Sequence, residues 1–326
     1  MPKIKLWHPS ATKESLVARA KLTQQIRDFF NTREVLEVST PVLSKTTTTD
    51  VQIDSFKTDH YFLQTSPEFY LKRLLAADLG AIYQMGPVFR RGEEGKKHQP
   101  EFTLLEWYRP GFLLKDLIQE VSELLMAILN CEPITCLSYQ FIFEKLLGCQ
   151  VHLASSESLA KIALEHQIIT AQDIQALNLD KDGWLDLLMV SLIEPKLSLL
   201  SKGPIAITHY PASQCAYAQT EEVKDLEGNT FSVAHRFEVY LGGLELANGY
   251  FELLDANLQR EKFNQDNLKR TELGLKAIPI DENLLAAQEN GMPSCSGVAL
   301  GVDRLIMLAL NKATIQEVVA FDASRY

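Results

Sequence analysis

The chain has 326 residues, 46% of them hydrophobic and 23% charged, enough to bury the core of one large domain or two ordinary ones. Its formal net charge of -10 argues against a general nucleic-acid binder, whose surface must neutralise phosphates. No run approaches the roughly 20 apolar residues that span a bilayer, so the expectation is a soluble, cytoplasmic protein with no membrane partner. The five cysteines form no C-x-x-C pair and the seven histidines no metal-ligand spacing, which points to reduced, half-buried thiols and away from a zinc site.

Over residues 14–35, Leu16, Val17, Ala20, Ile26, Phe29 and Phe30 recur at helical spacing and predict a long amphipathic helix. Residues 35–41 are rich in β-branched side chains and end at Pro41, as a short edge or interface strand does. Strand-like runs at 51–56 and 61–64 precede Ser66-Pro67-Glu68, read as a helix start with Ser66 as cap and Pro67 inside the first turn. Two arms, 82–91 and 101–109, then read as strands joined by a loop carrying Glu93, Glu94, Lys96, Lys97 and His98, too long for a tight turn. Alternation along the second arm puts Phe102, Glu106 and Tyr108 on one face, an aromatic platform, a carboxylate and a phenol suited to a planar base and an ammonium group.

Helical runs at 113–129, 139–147, 156–166, 171–177 and 184–199 form a helical insertion over about residues 112–200 within a strand-rich chain. Strand patterns return at 205–210, 231–241, 244–254 and 298–300, with Gly242-Gly243 as a two-residue hairpin turn. Setting Leu241 opposite Leu244 places Glu238 opposite Ala247 and Glu245 diagonal to Glu238. Such a pair either holds a hard cation such as Mg²⁺ or belongs to a solvated face. Asn248, Tyr250 and Glu252 have the opposite parity from Glu245, so a shared face requires a bulge near Asn248-Gly249. Farther on, Gly301-Val302-Asp303-Arg304 leads into a helix over 305–310, where a guanidinium beside backbone N–H groups suits a phosphate.

Together these segments resemble the three signature motifs of class II aminoacyl-tRNA synthetases: the helix and strand ending at Pro41, the hairpin over 89–107, and the Gly301-Val302-Asp303-Arg304 turn. Within that class, Thr65-Ser66-Pro67-Glu68, His98-Gln99-Pro100-Glu101-Phe102, Arg236-Phe237-Glu238 and Glu245-Leu246-Ala247-Asn248-Gly249 are similar to the lysine enzymes. The likeness implies an α+β fold, a mostly antiparallel sheet flanked by helices, as a single catalytic domain over residues 1–326. With the first helix starting near residue 14, the anticodon-binding domain of a lysyl-tRNA synthetase is not expected. The layout resembles the paralogues of those synthetases that modify elongation factor P, as do Pro211-Ala212-Ser213-Gln214, Trp107-Tyr108-Arg109-Pro110 and the run from Cys295 to Arg304.

The resemblance implies ATP and Mg²⁺ as cofactors, (R)-β-lysine and elongation factor P as substrates, a homodimer, and no tRNA. It implies Arg90 on the α-phosphate, Phe102 on the adenine, Arg304 on the γ-phosphate, and Glu93 and His98 in the loop over ATP. Glu238 and Glu245 would hold Mg²⁺. Ser66, Glu68, Glu106, Tyr108, Asn248, Tyr250 and Glu252 would surround the amino acid, with Ala299 shaping the pocket where tRNA-charging lysine enzymes usually have glycine. Two positions depart from the family pattern: Gly92 replaces the glutamate of Phe-Arg-x-Glu, with Glu93 one residue later, and Lys97 replaces an arginine. The alternatives are a free-standing lysine tRNA-charging enzyme, a related amide ligase, and a non-catalytic synthetase paralogue.

Overall fold

In the computed structural model, which describes residues 6–224 and 228–325, helix α1 (Lys13–Asn31) starts where the Thr12 hydroxyl accepts a hydrogen bond from the Ser15 N–H, satisfying a donor that has no partner within the helix. There follow β1 (Leu36–Glu37), β2 (Leu43–Ser44), β3 (Phe62–Leu63), α2 (Glu68–Ala76), β4 (Ile82–Phe89), β5 (Glu101–Pro110) and α3 (Leu114–Leu129). Next come β6 (Thr135–Ser138), α4 (Tyr139–Leu147), α5 (Ser156–Glu165), α6 (Ala171–Leu177), α7 (Lys181–Leu188), β7 (Ile205–Pro211), β8 (Thr220–Lys224), β9 (Thr230–Leu241) and β10 (Leu244–Phe251). The last elements are α8 (Ala256–Glu272), α9 (Glu282–Glu289), β11 (Cys295–Gly301) and α10 (Val302–Ala309). Mostly antiparallel strands with helices make this an α+β fold. Two compact units divide the chain, one holding Met1–Leu113, Glu123–Asn130 and Glu252–Tyr326, the other Leu114–Ser122 and Cys131–Phe251.

In the first unit the strand order is β1-β4-β5-β11, with β1 parallel to β4 and the other pairs antiparallel, and β2 pairs separately with β3. The apolar stripe of α1 buries Ile26, Phe29 and Phe30. The Phe30 ring stacks on Tyr83 of β4 at 4.5 Å and meets Trp107 of β5 edge-on at 5.2 Å, so one side chain joins the helix to two strands. A polar clamp lies farther along: Arg19 reaches Asp303 of α10 at 2.6 Å and donates to the Thr103 hydroxyl, while the Thr103 N–H donates to Asp303.

In the second unit the order is β10-β9-β7-β6, with β8 on β9 and only β6 and β7 parallel. Its core draws Phe143, Leu159, Trp184 and Leu188 from the helices and Ile205 and Ile207 from β7. Gly243 has φ +74, and a Cβ there would lie 2.7 Å from the Glu194 carbonyl oxygen. The tight hairpin therefore needs glycine for conformation and for space. Among the described residues no helix is long and apolar enough to cross a membrane.

Several expected elements change. The strand expected at 51–56 contributes only one isolated bridge, Asp54 to Arg91, because the Gln52 N–H turns back to the Asp50 carboxylate, a local turn that competes with sheet pairing. The helix expected at 184–199 breaks into α7, a π turn at Met189–Ile193 and a 3-10 turn at Glu194–Leu199, since Pro195 cannot donate to the α ladder. Pro67 stands just before α2 and not inside its first turn. The helix expected at 305–310 begins three residues earlier, at Val302. Three of the five cysteines, Cys149, Cys215 and Cys295, are fully buried free thiols, with Cys131 half-buried and Cys136 exposed.

Because Phe30 ties α1 to both β4 and β5, Phe30→Ala is expected to lower stability by about 3–5 kcal/mol, measured by urea unfolding of the variant against the parent.

Candidate active site

The acidic pocket of the first unit is built from α2, β5, β11 and the residue after β10. The N-cap of α2 is Pro67 and not the expected Ser66; the Ser66 hydroxyl, one residue earlier, accepts from the Glu68 N–H at 3.0 Å and donates to Glu106 Oε2 at 2.6 Å, and so orients a carboxylate on β5. Alternation along β5 sets Tyr108 on the same side, and its hydroxyl donates to Glu106 Oε1 at 2.8 Å. Glu252 is buried, its backbone N–H bonded to the Cys295 carbonyl of β11. One turn into α2, Lys72 places Nζ 2.6 Å from Glu68 Oε1 and 2.7 Å from Glu252 Oε2, with its side chain wholly out of solvent. Gly297, opposite Tyr108 on β11, closes the wall: a Cβ there would overlap the Tyr108 ring and lie 2.6 Å from Glu252 Oε1. Ala299 pairs with Glu106.

Burial sets the electrostatics of this pocket. It raises the Glu106 carboxyl to about 8, helped by the charge of Glu68 and opposed by the hydrogen bonds from Ser66 and Tyr108. Glu106 therefore carries a proton at neutral pH as the pocket stands. Burial also raises Glu252, and the Lys72 charge works in the other direction. For Lys72 burial opposes the charge, yet Glu252 and Glu68 outweigh it and the ammonium is held ionised. Burial and the neighbouring Glu106 push the Tyr108 phenol well above its ordinary value, so it acts as a donor.

The hairpin of β4 and β5 supplies the cationic part of the same unit. The Arg90 guanidinium lies 5.1 Å from the Phe102 ring centroid, donates to the Thr65 carbonyl at 3.3 Å and stands 3.6 Å from Glu93. Gly92 has φ +82, a left-handed backbone in which the family's glutamate would be strained, and Glu93 takes the place beside Arg90. Across the loop, Arg304 in the first turn of α10 meets His98 Nε2 at 2.6 Å and donates to the Lys97 carbonyl. Burial and then the Arg304 charge lower the His98 pKa, so the neutral ring accepts from the guanidinium.

In the second unit, β9 and β10 leave the turn with Leu244 opposite Leu241 and Glu245 opposite Tyr240, and the register then shifts between Glu245 and Ala247. Asn248 faces Glu238 and Tyr250 faces Arg236, so the expected pairing of Glu238 with Ala247 is corrected by one residue. The bulge also lies earlier than Asn248-Gly249, beside the tight turn, where the added twist is accommodated. Its effect is the one the parity required: Glu245, Asn248 and Tyr250 share a face with Arg236, Glu238 and Tyr240.

On that face, Glu238 Oε2 accepts from Tyr210 and Tyr240, each at 2.6 Å, and Oε1 accepts from Asn248 at 3.2 Å and pairs with the Arg236 guanidinium. Arg236 also donates to the Gln214 carbonyl and lies over the Tyr210 ring. Two carboxylates of hard oxygen donors on one face fit Mg²⁺ in chemistry. Among the described residues no group of three or more histidine, cysteine or acidic side chains could hold a metal. Glu238 and Glu245 would therefore leave most of a cation's coordination to water and phosphate oxygens, the usual habit of Mg²⁺. Arg236 supplies the positive charge at Glu238 as the structure stands.

Each expected site residue thus falls into one of two sets. Ser66, Glu68, Arg90, Glu93, His98, Phe102, Glu106, Tyr108, Glu252, Ala299 and Arg304 belong to the first unit, and Glu238, Glu245, Asn248 and Tyr250 to the second. Lys72 and Arg236 carry no role among the residues expected from the sequence. The i, i+4 spacing of Glu68 and Lys72 was the available signal for the first. Arg236 stood in plain view, two residues before Glu238 on the same strand face.

A family model described as tRNA synthetases class II (D, K and N) matches residues 4–325. The protein named elongation factor P--(R)-beta-lysine ligase in Mannheimia succiniciproducens is 46% identical over 325 residues, covering 97% of each chain. The protein of that name in Proteus mirabilis is 45% identical over 335 residues, covering 100% of each, and that in Pasteurella multocida is 45% identical, covering 97% of each.

The raised Glu106 pKa has a measurable cost. A carboxyl whose folded pKa lies near 8 against an ordinary 4.5 destabilises the fold increasingly as pH rises through that window. Glu106→Gln, which cannot ionise, is expected to gain stability relative to the parent by up to about 1.4 kcal/mol per pH unit within the window and nothing further outside it. Denaturant midpoints from pH 4 to 9 supply the comparison.

Proposed function

Because this chain belongs to the class II tRNA synthetases (D, K and N), we propose that it activates (R)-β-lysine with ATP as an aminoacyl-adenylate and transfers the acyl group to the ε-amine of a lysine on elongation factor P. The observation that carries this reading is the pocket in which Glu68, Glu106 and Glu252 converge with Tyr108 and Ser66. Three converging carboxylates, two of them buried, with a single lysine among them suit a ligand with more than one ammonium group. The names and near-complete coverage of the relatives support the protein acceptor, and a net charge of -10 is poorly suited to tRNA.

In the first step a carboxylate oxygen of the amino acid attacks the α-phosphorus, the bond to the β-phosphate bridge breaks, and pyrophosphate leaves. In the second, the acceptor amine attacks the acyl carbon, the bond to AMP breaks, and an amide forms with loss of the amine's proton. Arg90 would stabilise the charge developing on the α-phosphate, and Phe102 would stack on the adenine. Arg304, steadied by neutral His98, would grip the far phosphate. Glu238 and Glu245 would hold Mg²⁺, which when bound neutralises phosphate charge. Glu68, Glu106 and Glu252 fix the ammonium groups, and Asn248 and Tyr250 complete the amino-acid contacts of the proposal. The Ala299 methyl, on the residue paired with Glu106, narrows the pocket toward the β isomer. A homodimer formed through α1 and the strand before Pro41 belongs to the same reading.

The direct test is the mass of purified elongation factor P after incubation with this protein, ATP and either lysine isomer. An adduct is expected, larger in yield with (R)-β-lysine, and its absence with both isomers would defeat the proposal. Arg90→Ala should lose about 2.7–4 kcal/mol of transition-state stabilisation, seen as a hundredfold or greater fall in amino-acid-dependent ATP–pyrophosphate exchange. Since an ammonium group must replace the proton on Glu106, whose carboxyl lies near 8, KM for the amino acid should fall about tenfold per pH unit on rising toward that value. Glu106→Gln should flatten the profile.

A further inference from the structure

Lys72 takes no part in the chemistry described above, yet it is the only lysine of α2 and its side chain is wholly buried. Its Nζ lies 2.6 Å from Glu68 Oε1 and 2.7 Å from Glu252 Oε2. We propose that Lys72 is a positioning residue that fixes both the geometry and the net charge of the amino-acid pocket, leaving Glu68, Glu106 and Glu252 with two uncompensated negative charges for the two ammonium groups of a lysine isomer. This deepens the proposed function and rests on it for the identity of the ligand.

The geometry carries the inference in three ways. Lys72 joins two carboxylates that come from different parts of the chain, one on its own helix at i-4 and one beyond β10, so it sets their separation as well as their charge. A lysine is retained in full burial only where its charge is answered, and here the answer is the pair of groups the ligand must also use. Glu106 is the third carboxylate of the pocket. Its oxygens are held by Ser66 and Tyr108, which are neutral, so it remains the carboxylate most in need of a ligand's positive charge. Without Lys72 the pocket would present three neighbouring carboxylates, two of them buried, and protons would compete with the ligand at Glu106 and Glu252. The charged or titratable groups facing this cluster are Glu68 and Lys72 from α2, Glu106 and Tyr108 from β5, Glu252, and Cys295 from β11.

The experiment compares Lys72→Met with the parent in ATP–pyrophosphate exchange, varying (R)-β-lysine and ATP separately between pH 6 and 9. The expected result is a rise in amino-acid KM of about ten- to hundredfold, the range for a lost charged contact. KM for ATP should stay within about twofold, and the fall of amino-acid KM with pH should be displaced upward by about one unit. A folded Lys72→Met with unchanged amino-acid KM and profile overturns the inference. Should that variant fail to fold, Lys72→Met/Glu252→Gln relieves one buried charge, and it is compared with Glu252→Gln alone. A further displacement from the loss of the Glu68 contact supports the inference, and identical amino-acid KM and profile in the two overturns it. Carbon NMR titration of the glutamate carboxyls, which needs no substrate, should show Glu252 moved upward in Lys72→Met, since the Lys72 charge holds it down. Absence of exchange in the parent would count against the proposed substrate, whereas exchange in the parent with an indifferent Lys72→Met would count against the role of Lys72 alone.

Discussion

Charge taken out of water must be answered by charge or hydrogen bonds close at hand, and this protein arranges much of its first unit around that demand. Lys72 answers Glu68 and Glu252. Ser66 and Tyr108 answer Glu106 only with hydroxyls, which is why its carboxyl is driven up to about 8. The backbone is shaped to permit this crowding: Gly297 exists on β11 because a side chain there would displace Tyr108 and Glu252. The same logic operates in the second unit, where Arg236, Tyr210, Tyr240 and Asn248 converge on Glu238.

The two buried clusters differ in what they leave available. Around Glu238 each carboxylate oxygen has two donors, including a guanidinium, so a cation brought there by a nucleotide must share or replace the Arg236 contact. Around Glu106 the donors are neutral, and a ligand's ammonium would meet a carboxyl that has only to give up its proton. In the proposed reading the acidic pocket would take the amino acid and the arginine-flanked hairpin the nucleotide, an arrangement consistent with adenylate chemistry, in which positioning and fixed charge do most of the catalysis.

Much of the candidate site was legible because its residues lie on regular elements. Alternation along β5 placed Phe102, Glu106 and Tyr108 together, and the Gly242-Gly243 turn anchored the β9–β10 hairpin at Leu241 and Leu244. The requirement for a bulge was also legible, since Glu245 and Asn248 have opposite parity. Its location was not, because whether a strand bulges beside the turn or three residues later depends on packing. Helix α8 escaped notice because its sequence is largely polar and lacks a clear apolar period, and β6 is a short strand whose pairing partner β7 lies far along the chain.

The sequence by itself determined the local matters: the amphipathic helix over residues 14–35, the aromatic and acidic face of β5, the arginine opening α10, and a set of motifs dense enough to identify the family. These depend on periodicities of a few residues and on backbone preferences of individual side chains. Only the tertiary structure decided that Lys72 stands between Glu68 and Glu252, that Arg304 and His98 meet across the loop, and that Gly92 adopts a conformation unsuited to glutamate. Each of those facts joins residues distant in sequence or depends on a dihedral angle set by its surroundings. Burial, which converts an ordinary lysine or glutamate into a determinant of function, arises only when the whole chain has packed.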